Sequence, residues 1–194
     1  MTERLDDAIA RIDAANAEDP NREFVDGAAR PKEVVYAERM TGWLEKLAPE
    51  ASEALRIAAR AQHIERWTMP RAEFPDGREG YLRWRTTLAK FHAERTAGII
   101  AEAGYEADVI DRVKGLLRKH RLKTDPEVQT LEDVACLVFL ESYFADFSKR
   151  HDEAKVIGIV QKTWAKMSPR GHDAALALDM HDDARILVEK ALSG

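Results

Sequence analysis

The sequence predicts an all-α protein, a single-domain helical bundle of about seven to eight helices. Apolar residues recur at intervals of three and four along most of the chain, which is the spacing of amphipathic helices. No segment shows the alternating pattern of a strand, and no internal repeat is present. With 194 residues, the chain is long enough for one sizeable core and short for two full domains. We therefore expect one domain over residues 1–194.

Composition and charge narrow the class of protein. Hydrophobic residues make up 45% and charged residues 34%, as in globular proteins. No apolar run approaches the ~20 residues that span a bilayer, and the charged amino terminus lacks the apolar core of a signal peptide. A net charge of −5 without a basic stripe disfavours nucleic acid as a partner, although not a nucleotide substrate. The single Cys136 excludes a disulfide framework. We predict a cytoplasmic protein without a membrane partner. Whether it forms a homodimer is left open by the sequence.

The first third of the chain predicts three helices. The first covers residues 3–16, where Leu5, Ile9 and Ile12 form one stripe. The segment EDPNREFVDGAARP is rich in turn formers and is predicted as a loop, which ends at Pro31, a residue suited to the first position of a helix. The second helix is KEVVYAERMTGWLEKL. The third, EASEALRIAARAQHIERW, is opened by Pro49.

The rest of the chain continues in helices. After the loop MPRAEFPDGREG, a long helix is predicted to end at Gly104, a C-terminal glycine cap. ADVIDRVKGLLRKHRL is a further amphipathic segment. PEVQTLEDVACLVFLESYFADF is apolar on almost every side between Val134 and Leu140, which predicts a buried helix. Two peripheral helices over residues 151–192 are expected to pack, with the helix over 3–16, on the central core.

Three polar residues, His63, His92 and Asp133, fall on faces that should be buried. His92 shares its face with Leu88 and Ile99. Asp133 lies among apolar neighbours, where a carboxylate is costly unless a cation, a metal or several donors meet it. Two histidines and one aspartate are suitable ligands for a divalent metal. Taken singly, each histidine is more often a hydrogen-bonded core or surface residue than a ligand, and Asp133 equally fits a partner for an arginine.

The order of these segments resembles a known helical core. YAERM, AARAQHIERW, FHAERTAGIIAEAGY, VKGLLRKHRL and DPEVQTLEDVACL are similar to the HD-domain metal-dependent phosphohydrolases over roughly residues 32–141. The resemblance implies an HD-domain-like core. It places His63 at the histidine of the His-Asp pair, His92 at the histidine of the next helix, and Asp133 at the last aspartate. These three residues would then bind the metal, with Mn, Mg, Zn or Fe as candidates.

The sequence departs from that pattern at two ligand positions. Tyr36 stands where the first histidine is expected, and Ile64 stands where the aspartate of the pair is expected. Either the metal site has been rebuilt, with Glu65 or Tyr36 taking part, or it has been lost. The segments AQHIERW, PRAEFPDGREGYLRWR, LEDVACLVFLE and KTWAKMS are together more similar to a domain-of-unknown-function family of bacteria and fungi, numbered four-two-zero-two, which brings no established activity.

The resemblance implies a divergent HD-like metal-dependent hydrolase of a small phosphorylated or nucleotide-like substrate. Glu65 or Glu132 would be the general base. Arg66 or Arg85, from the arginine-rich region around loop 70–85, would bind the anionic substrate, with Arg85 expected to point inward.

Two alternatives belong to other classes. One is a metal-free helical module that binds a nucleotide or another ligand, or has a regulatory role, on an HD-like scaffold. Ile64 and the arginines near His63 favour it. The other is a di-iron HD-type oxygenase with His92 as a ligand of a second metal. The missing carboxylate at Ile64 counts against this alternative.

Overall fold

The structure, a computed structural model, describes residues 2–193 and is almost entirely helical. Over that range the chain forms ten α-helices and one two-stranded hairpin. The all-α prediction is confirmed, and the predicted number of seven to eight helices is too low. None of the helices described has both the length and the apolar character needed to cross a bilayer. The chain divides into two compact units, Met1–Arg121 and Leu122–Gly194. The prediction of one domain over residues 1–194 stays a prediction.

The first unit contains five helices and the hairpin. The helices are α1 (Glu3–Ala17), α2 (Lys32–Leu47), α3 (Glu53–Arg60), α4 (Gly77–Glu102) and α5 (Ala107–Leu117). Strands β1 (Arg22–Val25) and β2 (Ala28–Pro31) pair antiparallel between α1 and α2. Two 3-10 turns, Arg66–Thr68 and Arg71–Glu73, lie between α3 and α4. The core of this unit is aliphatic, with Ile12, Met40, Ile57 and Ile100 fully buried.

The hairpin occupies a segment predicted as a loop. Asp26 and Gly27 form its tip, with φ values of 52° and 79°. A two-residue hairpin turn with the right twist needs positive φ at both central residues, and Asp-Gly is a favoured pair there. The dipeptide was therefore a sequence signal for this hairpin, and the surrounding polar residues concealed it.

The turn that follows α3 corrects the prediction for His63. Helix α3 begins after Ser52, whose side chain accepts a hydrogen bond from the Leu55 N–H, and it ends at Arg60. His63 therefore lies on a turn rather than on a helix. Glu65 in that turn has a φ of 48°, a left-handed conformation that costs a non-glycine residue roughly 1–2 kcal/mol. Asn16 at the end of α1 holds it, because its Oδ1 accepts a hydrogen bond of 3.0 Å from the Glu65 N–H.

The second unit contains the other five helices. They are α6 (Pro126–Val138), α7 (Phe144–Ser148), α8 (Glu153–Trp164), α9 (Pro169–Leu176) and α10 (Asp182–Ser193). Helix α6 is buried as predicted. A π-helical turn, Phe139–Tyr143, interrupts the helical period between α6 and α7. The segment predicted as one C-terminal helix is also divided, because α9 ends at Leu176. These two interruptions account for most of the extra helices.

Candidate functional site

The structure brings together three of the residues that the HD resemblance singled out. The rings of His63 and His92 have their centroids 6.1 Å apart. Tyr36 stacks on His63, with centroids 3.8 Å apart and planes inclined by 10°. All three lie in the first unit, together with Glu33 and Arg66. We call these five residues the histidine cluster.

Glu33 is the carboxylate of this cluster. It lies in the first turn of α2 with 6% of its surface exposed. Its backbone N–H donates to Asp19 Oδ2, and its Oε2 lies 3.4 Å from His63 Nδ1. Among residues 2–193, Oε2 has no hydrogen-bond partner. Burial raises the pKa of Glu33 to about 7, and the nearby positive charge of Arg66 opposes this rise. The carboxyl group is therefore close to half-ionised at neutral pH.

The sequence analysis did not include Glu33, although a signal was present. Glu33, Ala37, Met40 and Leu44 are spaced by four, three and four residues, so they lie on one face of α2. The structure buries all four. A carboxylate on an otherwise apolar stripe is the kind of feature that drew attention to Asp133.

His92 presents a nitrogen without a partner. Its side chain is buried on α4, on the face predicted with Leu88 and Ile99, which is confirmed. The backbone carbonyl of Gln62 accepts a hydrogen bond from the ring. Since Nε2 has no partner in the described part of the chain, that bond uses Nδ1. Burial lowers the pKa of His92 to about 3. The ring is therefore neutral at neutral pH, and Nε2 carries a lone pair.

His63 is also neutral. Burial, followed by the positive charge of Arg66, holds the pKa of His63 well below its usual range, although 24% of the side chain is exposed. Its short approach to Glu33 is therefore a contact between a neutral imidazole and a carboxyl group, not an ion pair, at neutral pH.

Arg66 is the cation of the cluster. It begins the first 3-10 turn after α3, and its guanidinium carbon lies 4.7 Å from the centroid of the Trp84 ring. The Trp84 indole is itself fixed, because its N–H donates to the Met69 carbonyl at 3.0 Å. Burial lowers the pKa of Arg66, yet a guanidinium stays charged in proteins. Its guanidinium has no hydrogen bond or ion pair within the described residues.

Two other candidates have partners outside the histidine cluster. Glu65 accepts two hydrogen bonds from Arg95, of 2.9 and 2.8 Å. Arg85 was expected to point inward, and this is wrong, because its side chain is exposed and donates to the Tyr81 hydroxyl at 3.2 Å. The first turns of α4 are exposed on most sides, as Leu82 with 52% of its surface exposed shows. The helical face that carries His92 is therefore not buried along its whole length.

Asp133 belongs to the second unit, where it joins two helices. Its carboxylate is buried and accepts three hydrogen bonds, from the Ser168 N–H at 2.8 Å, the Ser168 hydroxyl at 2.6 Å and Gln129 Nε2 at 3.0 Å. Ser168 also caps α9 by accepting from the Gly171 N–H. A Cβ atom at Gly171 would lie 2.7 Å from Asp133 Oδ1, so only glycine fits there. The expectation that several donors meet this carboxylate is met.

Glu132, the neighbouring candidate base, is buried as well. Its Oε1 lies 3.7 Å from Lys166 Nζ.

The described residues do not complete a metal site. Among residues 2–193, no group of three or more His, Cys, Asp or Glu side chains is arranged to hold a metal ion. His63 and His92 could supply two ligands, and catalytic zinc sites use three protein ligands. The prediction of a metal bound by His63, His92 and Asp133 stays a prediction.

Comparison with known proteins gives one family. The family described as Domain of unknown function (DUF4202) matches residues 6–188. No curated protein and no solved structure gives a match. The match covers both units and confirms the similarity to a domain-of-unknown-function family. The chain therefore belongs to the family Domain of unknown function (DUF4202).

Proposed function

We propose that the histidine cluster binds a small phosphorylated or nucleotide-like molecule, without a metal, on an HD-like scaffold. The observation that carries this proposal is Arg66. A half-buried guanidinium without an anionic partner is prepared to bind phosphate, which matches its planar donors bidentately. Its packing on Trp84 fixes its position without using its N–H groups.

The other members of the cluster support the same proposal. Buried polar atoms nearly always have a hydrogen-bond partner. Glu33 Oε2 and His92 Nε2 have none among the described residues, and both are acceptors when Glu33 is ionised and His92 is neutral. A ligand with hydroxyl or N–H groups would supply the missing donors. The replacements Tyr36 and Ile64 favour a site without metal, because they remove two ligands that the HD resemblance implies.

Thermal unfolding in the presence of inorganic phosphate or adenosine 5′-monophosphate tests this function. We expect one of these probes to raise the melting temperature of the wild-type protein, since a ligand at 100 times its Kd stabilises the folded state by about 2.7 kcal/mol. Arg66→Gln is expected to weaken binding at least about tenfold, because hydrogen bonds to charged groups contribute roughly 1.5–3 kcal/mol.

The matched control is Arg83→Gln, which removes an exposed arginine from the neighbouring helix α4. It should bind the probe like the wild-type protein. Equal affinity of Arg66→Gln and wild type, or no stabilisation by either probe at millimolar concentration, would count against the proposal.

A metal-dependent hydrolase is the second candidate, and the ring contacts of the two histidines favour it. Histidines that bind metals usually donate their other ring N–H to a carbonyl or a carboxylate. His92 has the Gln62 carbonyl in this role, and His63 has Glu33 at 3.4 Å.

Elemental analysis of the purified protein decides between the two candidates. The second candidate requires about one divalent ion per chain in the wild-type protein and its loss in His92→Ala. His172→Ala, in the second unit, is the matched control and should leave the metal content unchanged. Wild-type protein that stays metal-free after incubation with Mn²⁺, Zn²⁺ and Fe²⁺ would end this candidate and leave the first one standing.

A further inference from the structure

We propose that the molecule bound at the histidine cluster carries a protonated amine as well as its phosphate, so that Arg66 binds the phosphate and Glu33 binds the amine. This inference rests on the proposed function and narrows its ligand to zwitterionic phosphate esters.

Glu33 is a buried carboxyl group with one oxygen, Oε2, that lacks a partner among residues 2–193. Its side chain is 8% exposed, and its Oε2 is without a hydrogen-bond partner in the part of the chain that is described. His63 Nδ1 lies 3.4 Å from this oxygen but makes no hydrogen bond with it, and the His63 ring is neutral. A buried carboxylate is stable only when a cation or several donors meet it. Without them, Glu33 keeps its proton up to a pH near 7. A ligand that brings a positive group would stabilise the ionised carboxylate, which the cluster alone does not.

Arg66 and Glu33 carry the two opposite charges of the cluster, and separate contacts hold them. Arg66 lies beside His63, whose carbonyl accepts a hydrogen bond from its backbone N–H at 3.1 Å, and His63 Nδ1 lies 3.4 Å from Glu33 Oε2. The side chains of Arg66 and Glu33 nevertheless form no ion pair in the described residues. Arg66 packs on the Trp84 ring, while the backbone of Glu33 is fixed by Asp19 at 3.1 Å. A cation and an anion held near each other but unpaired fit a ligand that carries one charge of each sign.

This arrangement disfavours ligands that carry only one of the two charged groups. A phosphate ester without an amine would satisfy Arg66, but it would add negative charge beside Glu33 and leave its Oε2 without a donor. An amine without a phosphate would leave Arg66 without an anion. A molecule with both groups satisfies both residues, and the unpartnered Nε2 of His92 can accept a further N–H or O–H.

Isothermal titration with four probes tests the inference. The probes are O-phosphoethanolamine, ethyl phosphate, ethanolamine and inorganic phosphate, which vary the amine and the phosphate separately. We expect wild-type protein to bind O-phosphoethanolamine at least about tenfold more tightly than ethyl phosphate, given the strength of hydrogen bonds to charged groups. Ethanolamine alone should bind most weakly. Glu33→Gln should lose the preference for the amine and bind ethyl phosphate at least as tightly as the wild-type protein does, because the carboxylate beside the phosphate is gone. Arg66→Gln should lose both phosphate esters.

The outcomes separate this inference from the proposed function. If wild-type protein binds ethyl phosphate as tightly as O-phosphoethanolamine, and Arg66→Gln binds neither, the proposed function stands and the inference fails. If no phosphate probe binds, both fail. A Glu33→Gln variant that keeps the preference for the amine would also overturn the inference. Glu45→Gln, on the exposed side of α2, is the matched control and should keep that preference. The comparison of probes on wild-type protein remains decisive if Glu33→Gln does not fold.

Discussion

Asp133→Asn is expected to destabilise the second unit by about 3 kcal/mol, because it leaves buried donors without an acceptor. The wild-type carboxylate accepts from the Ser168 N–H, the Ser168 hydroxyl and Gln129. An asparagine side chain has one acceptor oxygen, and its NH₂ group would face at least one of these donors. Urea unfolding measures the loss of stability, and hydrogen exchange should show faster exchange in α6 and α9.

Asp146→Asn is the control for this substitution. Asp146 is 74% exposed, and its contact with Lys149 at 3.7 Å is a surface ion pair, which contributes roughly 0–1 kcal/mol. A similar small loss in Asp133→Asn would contradict a structural role for Asp133. The same pair of variants also bears on the metal prediction. If the role of Asp133 is structural, its replacement lowers the stability of the protein whether or not a metal is added.

Glu33→Gln is expected to change how stability depends on pH. In the wild-type protein the pKa of Glu33 is raised from its ordinary value of 4.5 to about 7. The folded state therefore keeps this proton at pH values where the unfolded state has lost it, so the contribution of Glu33 to stability falls as pH rises from about 4.5 to about 7. Glutamine resembles the neutral acid and has no such loss. The stability of the variant relative to wild type should rise by roughly 2 kcal/mol between pH 5 and pH 8.

The two histidines change the pH dependence of stability in the opposite direction, but they should not mask the effect of Glu33→Gln. Burial lowers the pKa of both His63 and His92, so their contribution rises with pH towards the ordinary histidine value of 6.5. That rise is common to wild type and variant and cancels in the difference. Urea unfolding at pH 5, 6, 7 and 8 gives the comparison. A difference between Glu33→Gln and wild type that does not vary with pH would refute the assignment.

Helical periodicity was sufficient to predict much of the fold and part of the site. The spacing of Leu88, His92 and Ile99 placed His92 correctly on a buried face, and the apolar neighbours of Asp133 predicted its need for donors. The same reasoning failed for His63 and Arg85. Helix α3 ends before His63, and the first turns of α4 are exposed, and neither fact is visible in local periodicity.

The contacts that define the histidine cluster could not be predicted for a different reason. Glu33 and His63 are 30 positions apart in sequence, and they meet because α2 and the turn after α3 pack together. The same turn depends on Asn16, which is further away still. Contacts between distant residues follow from packing, and no spacing rule within one segment contains them.

The bond from Asn16 to the turn at Glu65 makes the cluster dependent on a helix that contributes none of its members. Residues 33–92 include all five residues of the histidine cluster, but the left-handed turn between His63 and Arg66 is held from α1. The side chains therefore have their final arrangement only when the first helix of the chain is docked. Binding at the cluster depends on the completed packing of the first unit and not only on the segments that supply its members.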